Sequence, residues 1–144
     1  MRLLCTLLVA LVSATALGDD RAVAVDYIKA RCATLARGAS DADVEKVLSL
    51  INEDAVIEHP KFGAIVKGKD AIRRGLISHL GDYTGNREES GIVVLGSVES
   101  PGAVAFKTRT TFVVGEGSDR KIVAREGLTV VEIKDGRISR LIEY

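Results

Sequence analysis

Asp43–Pro60 reads DVEKVLSLINEDAVIEHP, an amphipathic helical pattern running directly into an apolar strand that a histidine and a proline close. Ser40-Asp-Ala-Asp43 ahead of it is a capping box of the Ser-x-x-acid kind, and Val44, Val47, Leu48 and Ile51 form the apolar stripe of the helix it opens. Ala55 to His59 then reads as a short strand. Pro60 stops it, because a proline has no amide hydrogen to give to a ladder. His59 is left at a strand end, where an imidazole serves either chemistry or packing.

Upstream, Ala22 to Arg37 reads as a helix closed by Gly38, with Val25, Ile28, Cys32 and Leu35 on one arc at 100° per residue. Downstream, a third helix is expected from about Asp70 to Leu80, with Ile72, Leu76 and Leu80 on one side. A loop rich in turn formers, Gly81 to Ser90, follows it. The rest is strand: Ile92–Val98, Val104–Val114, Lys121–Ile133 and Arg137–Tyr144 are β-branched and apolar runs parted by Pro101-Gly102, Gly115-Glu-Gly117 and Asp135-Gly136. Helices at one end of a chain and a meander at the other predict an α+β domain in which a strongly curved antiparallel sheet wraps the helices.

With 144 residues and 47% hydrophobic content there is room for one domain and one core. The first eighteen residues, MRLLCTLLVALVSATALG, place Arg2 before an apolar run and then small residues, as a secretory signal peptide does. Cleavage after Ala16 or Gly18 satisfies the small-x-small rule. The expectation is a leader over 1–18, a domain over 19–144, and a secreted or periplasmic product that is not embedded in a membrane. Losing Arg2 turns 20 basic against 20 acidic residues into 19 against 20, a net charge of about −1. Such a balance does not steer a protein to nucleic acid. Cys5 leaves with the leader, so Cys32 stands alone and no intramolecular disulfide is expected.

The order of elements, with "DVEKVLSLINEDAVIEHP", then "GKDAIRR", then a meander ending in "VVEIKDGRISRLIEY", resembles the SnoaL-like group of the nuclear-transport-factor-two-like superfamily. The resemblance covers about residues 22 to 144. It implies a cone-shaped α+β barrel with a deep apolar pocket. The group includes ketosteroid isomerases, polyketide cyclases, dehydratases, epoxide hydrolases and domains without known activity, so the fold alone does not name a reaction.

Within that resemblance, Asp43 to Pro60 matches the isomerases' stretch without a gap, and His59 falls where they keep a catalytic aspartate. Their oxyanion tyrosine falls at about Arg31 or Cys32, with Tyr27 a turn away, and their oxyanion aspartic acid falls near Thr129. Enolising a steroid ketone needs a carboxylate base and two strong donors, and that set is absent. An imidazole is nevertheless a workable general base at neutral pH. Period-two alternation and the resemblance together place Phe106, Thr108 and Thr110 on the face that looks into the cone, with Arg125, Thr129 and Val131 on the next strand. Tyr27, Arg31 and Phe62 complete the expected ligand wall, polar groups in an apolar lining being the usual mark of a small-molecule site. Arg125 paired with an acid across the strand is the alternative.

Other signals point away from cofactors. Gly63 to Asp70, GAIVKGKD, nearly spells a phosphate-binding loop, but Asp70 replaces the hydroxyl residue that would hold magnesium. It reads instead as strand, turn and helix N-terminus, with the acid favoured by the helix dipole. His59 and His79, with one cysteine, offer no metal-ligand spacing, and Cys32 reads as a packing residue on the first helix. Three functions stay open: a lyase, isomerase or cyclase using His59, a carrier of a small apolar molecule, and a dimerisation module. Leu128, Val130, Ile122 and Ala124 should form an outward apolar patch, and with the resemblance they imply a homodimer.

Overall fold

A computed structural model describes residues 4–83, 85 and 89–144, with the side chains of 4–19 left aside. Helix α1 runs Leu4–Leu35, α2 Asp41–Ser49 and α3 Lys69–Ser78. The strands are β1 (Ile51–His59), β2 (Ala64–Lys67), β3 (Gly91–Ser100), β4 (Ala103–Val114), β5 (Lys121–Lys134) and β6 (Arg137–Glu143). The expected leader, 1–18, thus lies partly outside the described residues and wholly outside the described side chains. Where the sequence suggests a helix from Ala22, the α1 backbone is already helical from Leu4. No helix among the described residues is long and apolar enough to cross a membrane.

The six strands form one sheet in the order β2-β1-β6-β5-β4-β3. The α+β architecture is as expected, with two corrections. The sheet is mixed, because β1 pairs with β6 in parallel, and it stays open, with β2 and β3 as its edges. Hairpins must be antiparallel, but β1 and β6 are far apart in the sequence and no tight turn dictates their sense. Ile51 also moves from helix to strand: Ile138 N–H donates to the Leu50 carbonyl at 2.9 Å, and Ile51 opens β1 as a buried core residue.

The local signals hold where they concern single turns. Ser40 N–H donates to Asp43 Oδ2 at 2.9 Å, which closes the α2 capping box. Gly102 and Gly136 take left-handed conformations at φ 75° and 71° in the β3–β4 and β5–β6 turns. Gly63 to Asp70 is turn, strand β2 and the start of α3, with Lys69 engaged by Glu53 at 2.7 Å.

One core unites the sheet's inner face with the three helices. Phe106, Val131 and Leu141 are fully buried under Ala24, Tyr27, Ala30, Val47 and Leu76. The buried stripe of α1 is Ala24, Tyr27, Ile28, Ala30 and Thr34; of the predicted arc through Val25, Ile28, Cys32 and Leu35 only Ile28 is buried, the other three being half-buried. An apolar arc facing a cavity and one facing a packed core look alike in sequence, and here Cys32 and Leu35 face a cavity.

Candidate functional site

His59 is the last residue of β1 and Glu143 the last of β6. The parallel register sets Ile57 beside Leu141 and Glu58 beside Ile142, so the next step along both strands brings His59 alongside Glu143. His59 Nδ1 lies 3.3 Å from Glu143 Oε2, each side chain about one-third exposed at 31% and 32%. The alternate residues go the other way. Glu58 accepts from Arg140 Nε at 2.8 Å, and Arg140 also reaches Glu132 at 2.9 Å. His59 and Glu58, neighbours on β1, thus project to opposite faces of the sheet.

His59 lines a recess of about 170 Å³ with Ile57, Val66, Ile72, Leu76 and His79. A larger cavity of about 320 Å³ adjoins it, walled by Arg125, Thr108, Thr110, Thr129, Cys32 and Tyr83 among others. Tyr27, Arg31 and Glu143 border both, so the two are adjacent lobes on either side of a shared wall. Of the residues predicted from sequence, the structure brings Tyr27, Arg31, Thr108, Thr110, Arg125, Thr129 and His59 together here. Two are not. Phe106 is fully buried in the core beneath the wall, and Phe62 stands 77% exposed in the Pro60–Phe62 turn under the Lys61 ammonium. Inward alternation does not tell a side chain that packs from one that lines a void, and Pro60 turns Phe62 outward.

Tyr27 and Arg31 are one turn apart on α1 and so share a face. Burial, and after it the negative charge of Glu143, push the Tyr27 phenol far above its ordinary value, so it stays a protonated donor. Arg31 Nη1 donates to Thr34 Oγ1 at 3.0 Å, and that hydroxyl donates to the Arg31 carbonyl at 2.8 Å, which holds the guanidinium in place. Cys32 is a correction: its thiol is half-buried rather than packed in the core, lining the larger lobe and a neighbouring recess with Lys29 and Ser90. Burial nonetheless raises the thiol above its ordinary value.

The mouth of the larger lobe is set by the end of α1. The Thr34 and Leu35 carbonyls have no partner within the helix and accept instead from Gly81 N–H and Tyr83 N–H, both at 2.8 Å. A Cβ at Gly85 would fall 2.8 Å from the Val113 Cβ, so only glycine lets this segment lie against β4. Tyr83 thereby stacks on Phe112 with centroids 4.4 Å apart, and the Arg125 guanidinium stands 5.7 Å from the Phe112 ring. Arg125 meets no carboxylate among the described residues: Glu126 pairs with Lys107 and Arg109 instead.

Glu143, Tyr83 and Gly127 were not singled out by sequence reading. A signal for Glu143 existed: it alternates with the inward Leu141, an acid on an apolar face. No group of three metal-ligating side chains is found among the described residues, and His79 sits at the α3 terminus against Asp82 at 2.7 Å.

With this geometry in view, the chain can be placed among known proteins. The model of the SnoaL-like domain matches residues 32–141. No curated protein matches the sequence. Among solved structures, an epoxide hydrolase of the LEH-like type from M. tuberculosis is similar at 17% identity and a TM-score of 0.66, over 89% of this chain and 83% of that one. A protein assigned as a SnoaL-like polyketide cyclase from Shewanella putrefaciens is similar at 13% identity and a TM-score of 0.65, over 86% and 87%. A protein of ketosteroid isomerase-like fold from Catenulispora acidiphila, in complex with trimethylamine, is similar at 11% identity and a TM-score of 0.63, over 85% and 83%. At these identities the likeness is one of fold, and by the family model this chain belongs to the SnoaL-like domain family, which includes cyclases, isomerases and epoxide hydrolases.

Proposed function

We propose that this protein is an enzyme of the isomerase, cyclase or lyase kind, which moves a proton on a small organic molecule held in the cleft. The observation that carries the reading is the His59–Glu143 pair at 3.3 Å on the wall shared with Tyr27 and Arg31. A base oriented by a carboxylate is the arrangement general-base catalysis needs. With Nδ1–H given to Glu143, the Nε2 lone pair of His59 is the one left for a substrate proton. Tyr27 and Arg31, both donors, then stand where charge developing on a substrate oxygen would be steadied.

The test is turnover of 5-nitrobenzisoxazole, which opens by loss of one carbon-bound proton to any well-placed base. Saturable turnover that disappears in His59→Gln, with the melting temperature retained, supports the reading. Equal rates for the two proteins refute it, and binding of the probe without turnover favours the carrier instead.

Two further parts of the reading concern context. The leader over 1–18 would direct export to the periplasm or beyond, which mass spectrometry of the secreted form tests by an N-terminus at residue 17 or 19. The mature chain would form a homodimer through the outer sheet face, where Ile122 is 69% and Leu128 44% exposed. Sedimentation as a monomer at tens of micromolar would reject that.

A further inference from the structure

Arginines on this molecule are matched as a rule. Arg21, Arg37, Arg73, Arg109, Arg120 and Arg140 each lie within ion-pair reach of a glutamate. Arg74 and Arg137 are without one among the described residues, but both are exposed at the surface. Arg31 and Arg125 differ: they line the larger lobe of the cleft, and among the described residues neither has a carboxylate partner. Arg31 is half-buried, and among the described residues its guanidinium, with five N–H groups to give, makes one side-chain hydrogen bond, to Thr34. Arg125 reaches in from the exposed rim, beside the Phe112 ring.

The two lobes also differ in chemistry. Around His59 the wall is mainly Ile57, Val66, Ile72 and Leu76, with His79 and Glu143 at its polar side, whereas the larger lobe presents Thr108, Thr110 and Thr129 with the two guanidiniums. Arg31 stands at the junction. A ligand that satisfies both lobes has an anionic head and an apolar body.

Resting on the reading of the cleft as a substrate site, we infer that its ligand is an organic monocarboxylate, the carboxylate held by Arg31 and Arg125 and the apolar body lying against His59. The planar guanidinium fork matches a carboxylate in two parallel hydrogen bonds. A phosphate dianion fits less well, because Glu143 and Glu126 also border the cleft and would oppose a second negative charge. Glu126 has its own cations in Lys107 and Arg109, and Glu143 faces His59, so neither acid takes up the two arginines. The reacting carbon would then belong to the apolar part of the acid, within reach of the base.

The experiment is calorimetric titration of the whole protein with octanoate and, separately, with 1-octanol at the same ionic strength. Octanoate should bind about tenfold tighter or better, the scale of a hydrogen bond between charged groups. Arg31→Gln and Arg125→Gln should each lower that preference, and Arg74→Gln, at an exposed arginine that lines neither lobe, should leave it intact. Equal binding of the two ligands, no binding of octanoate at millimolar concentration, or a preference that survives both Arg31→Gln and Arg125→Gln overturns the inference. Failure is separable from that of the base: turnover of 5-nitrobenzisoxazole without an octanoate preference removes only the carboxylate assignment, and the converse result removes only the base.

Discussion

His59 and Glu143 are the terminal residues of two strands that run side by side in the same direction, and their side chains meet at 3.3 Å across that pairing. They are 84 positions apart in the chain, from 143 and 59. The pair therefore exists only because β1 enters the sheet next to β6. If Glu143 orients His59, the two should not be equivalent on substitution. His59→Gln should lower turnover of an activated proton donor by roughly 10² to 10⁴. Glu143→Gln should lower it less, since the base is kept and only its orientation and charge support are lost. Steady-state rates of the two variants, with circular dichroism showing both folded, check this, and a larger loss in Glu143→Gln than in His59→Gln would mean that Glu143 is itself the base.

Cys32 should react slowly and be protected by ligand. Burial raises its thiol above the ordinary value, so the thiolate fraction at neutral pH is below that of a free cysteine. Since the residue borders the larger lobe, labelling by a small neutral reagent should accelerate as pH rises and slow in the presence of octanoate. Labelling as fast as free cysteine at neutral pH would contradict the burial.

The two phenylalanines should separate cleanly in stability. Phe106 is fully buried in the core, so Phe106→Ala should cost about 3–5 kcal/mol. Phe62 is 77% exposed, and Phe62→Ala should stay within about 0.5 kcal/mol. Denaturant midpoints of the two variants measure the difference.

Acid should weaken the outer face of the β1–β6 pairing. The Arg140 hydrogen bond, with the attraction of Arg140 and Lys67 behind it, holds the Glu58 carboxyl below its ordinary range. A depressed folded value means that stability is present above the ordinary carboxylate range and is lost as pH falls through the lowered value. The melting temperature of Arg140→Met should fall below that of the parent at neutral pH, and the gap should close on acidification. A gap that persists at strongly acid pH would show that Arg140 acts through packing.

How much of this was legible can be seen strand by strand. Turn residues and period-two alternation are local properties, so the β3 to β6 meander and the strand-end position of His59 were readable from the chain, whereas alternation put the threonines at 108, 110 and 129 on one face and only the family resemblance said that this face looks inward. Those patterns depend only on neighbours within a few residues, where sterics and the pleat act directly. Three things were decided by the tertiary structure. Whether an inward side chain packs, as Phe106 does, or lines a void, as Cys32 does, depends on what the opposite wall contributes. Which arginines lack a partner depends on where every glutamate lands. The parallel sense of β1 against β6, and with it the His59–Glu143 pair, depends on a contact between distant segments that burial of the common core selects and no local pattern encodes.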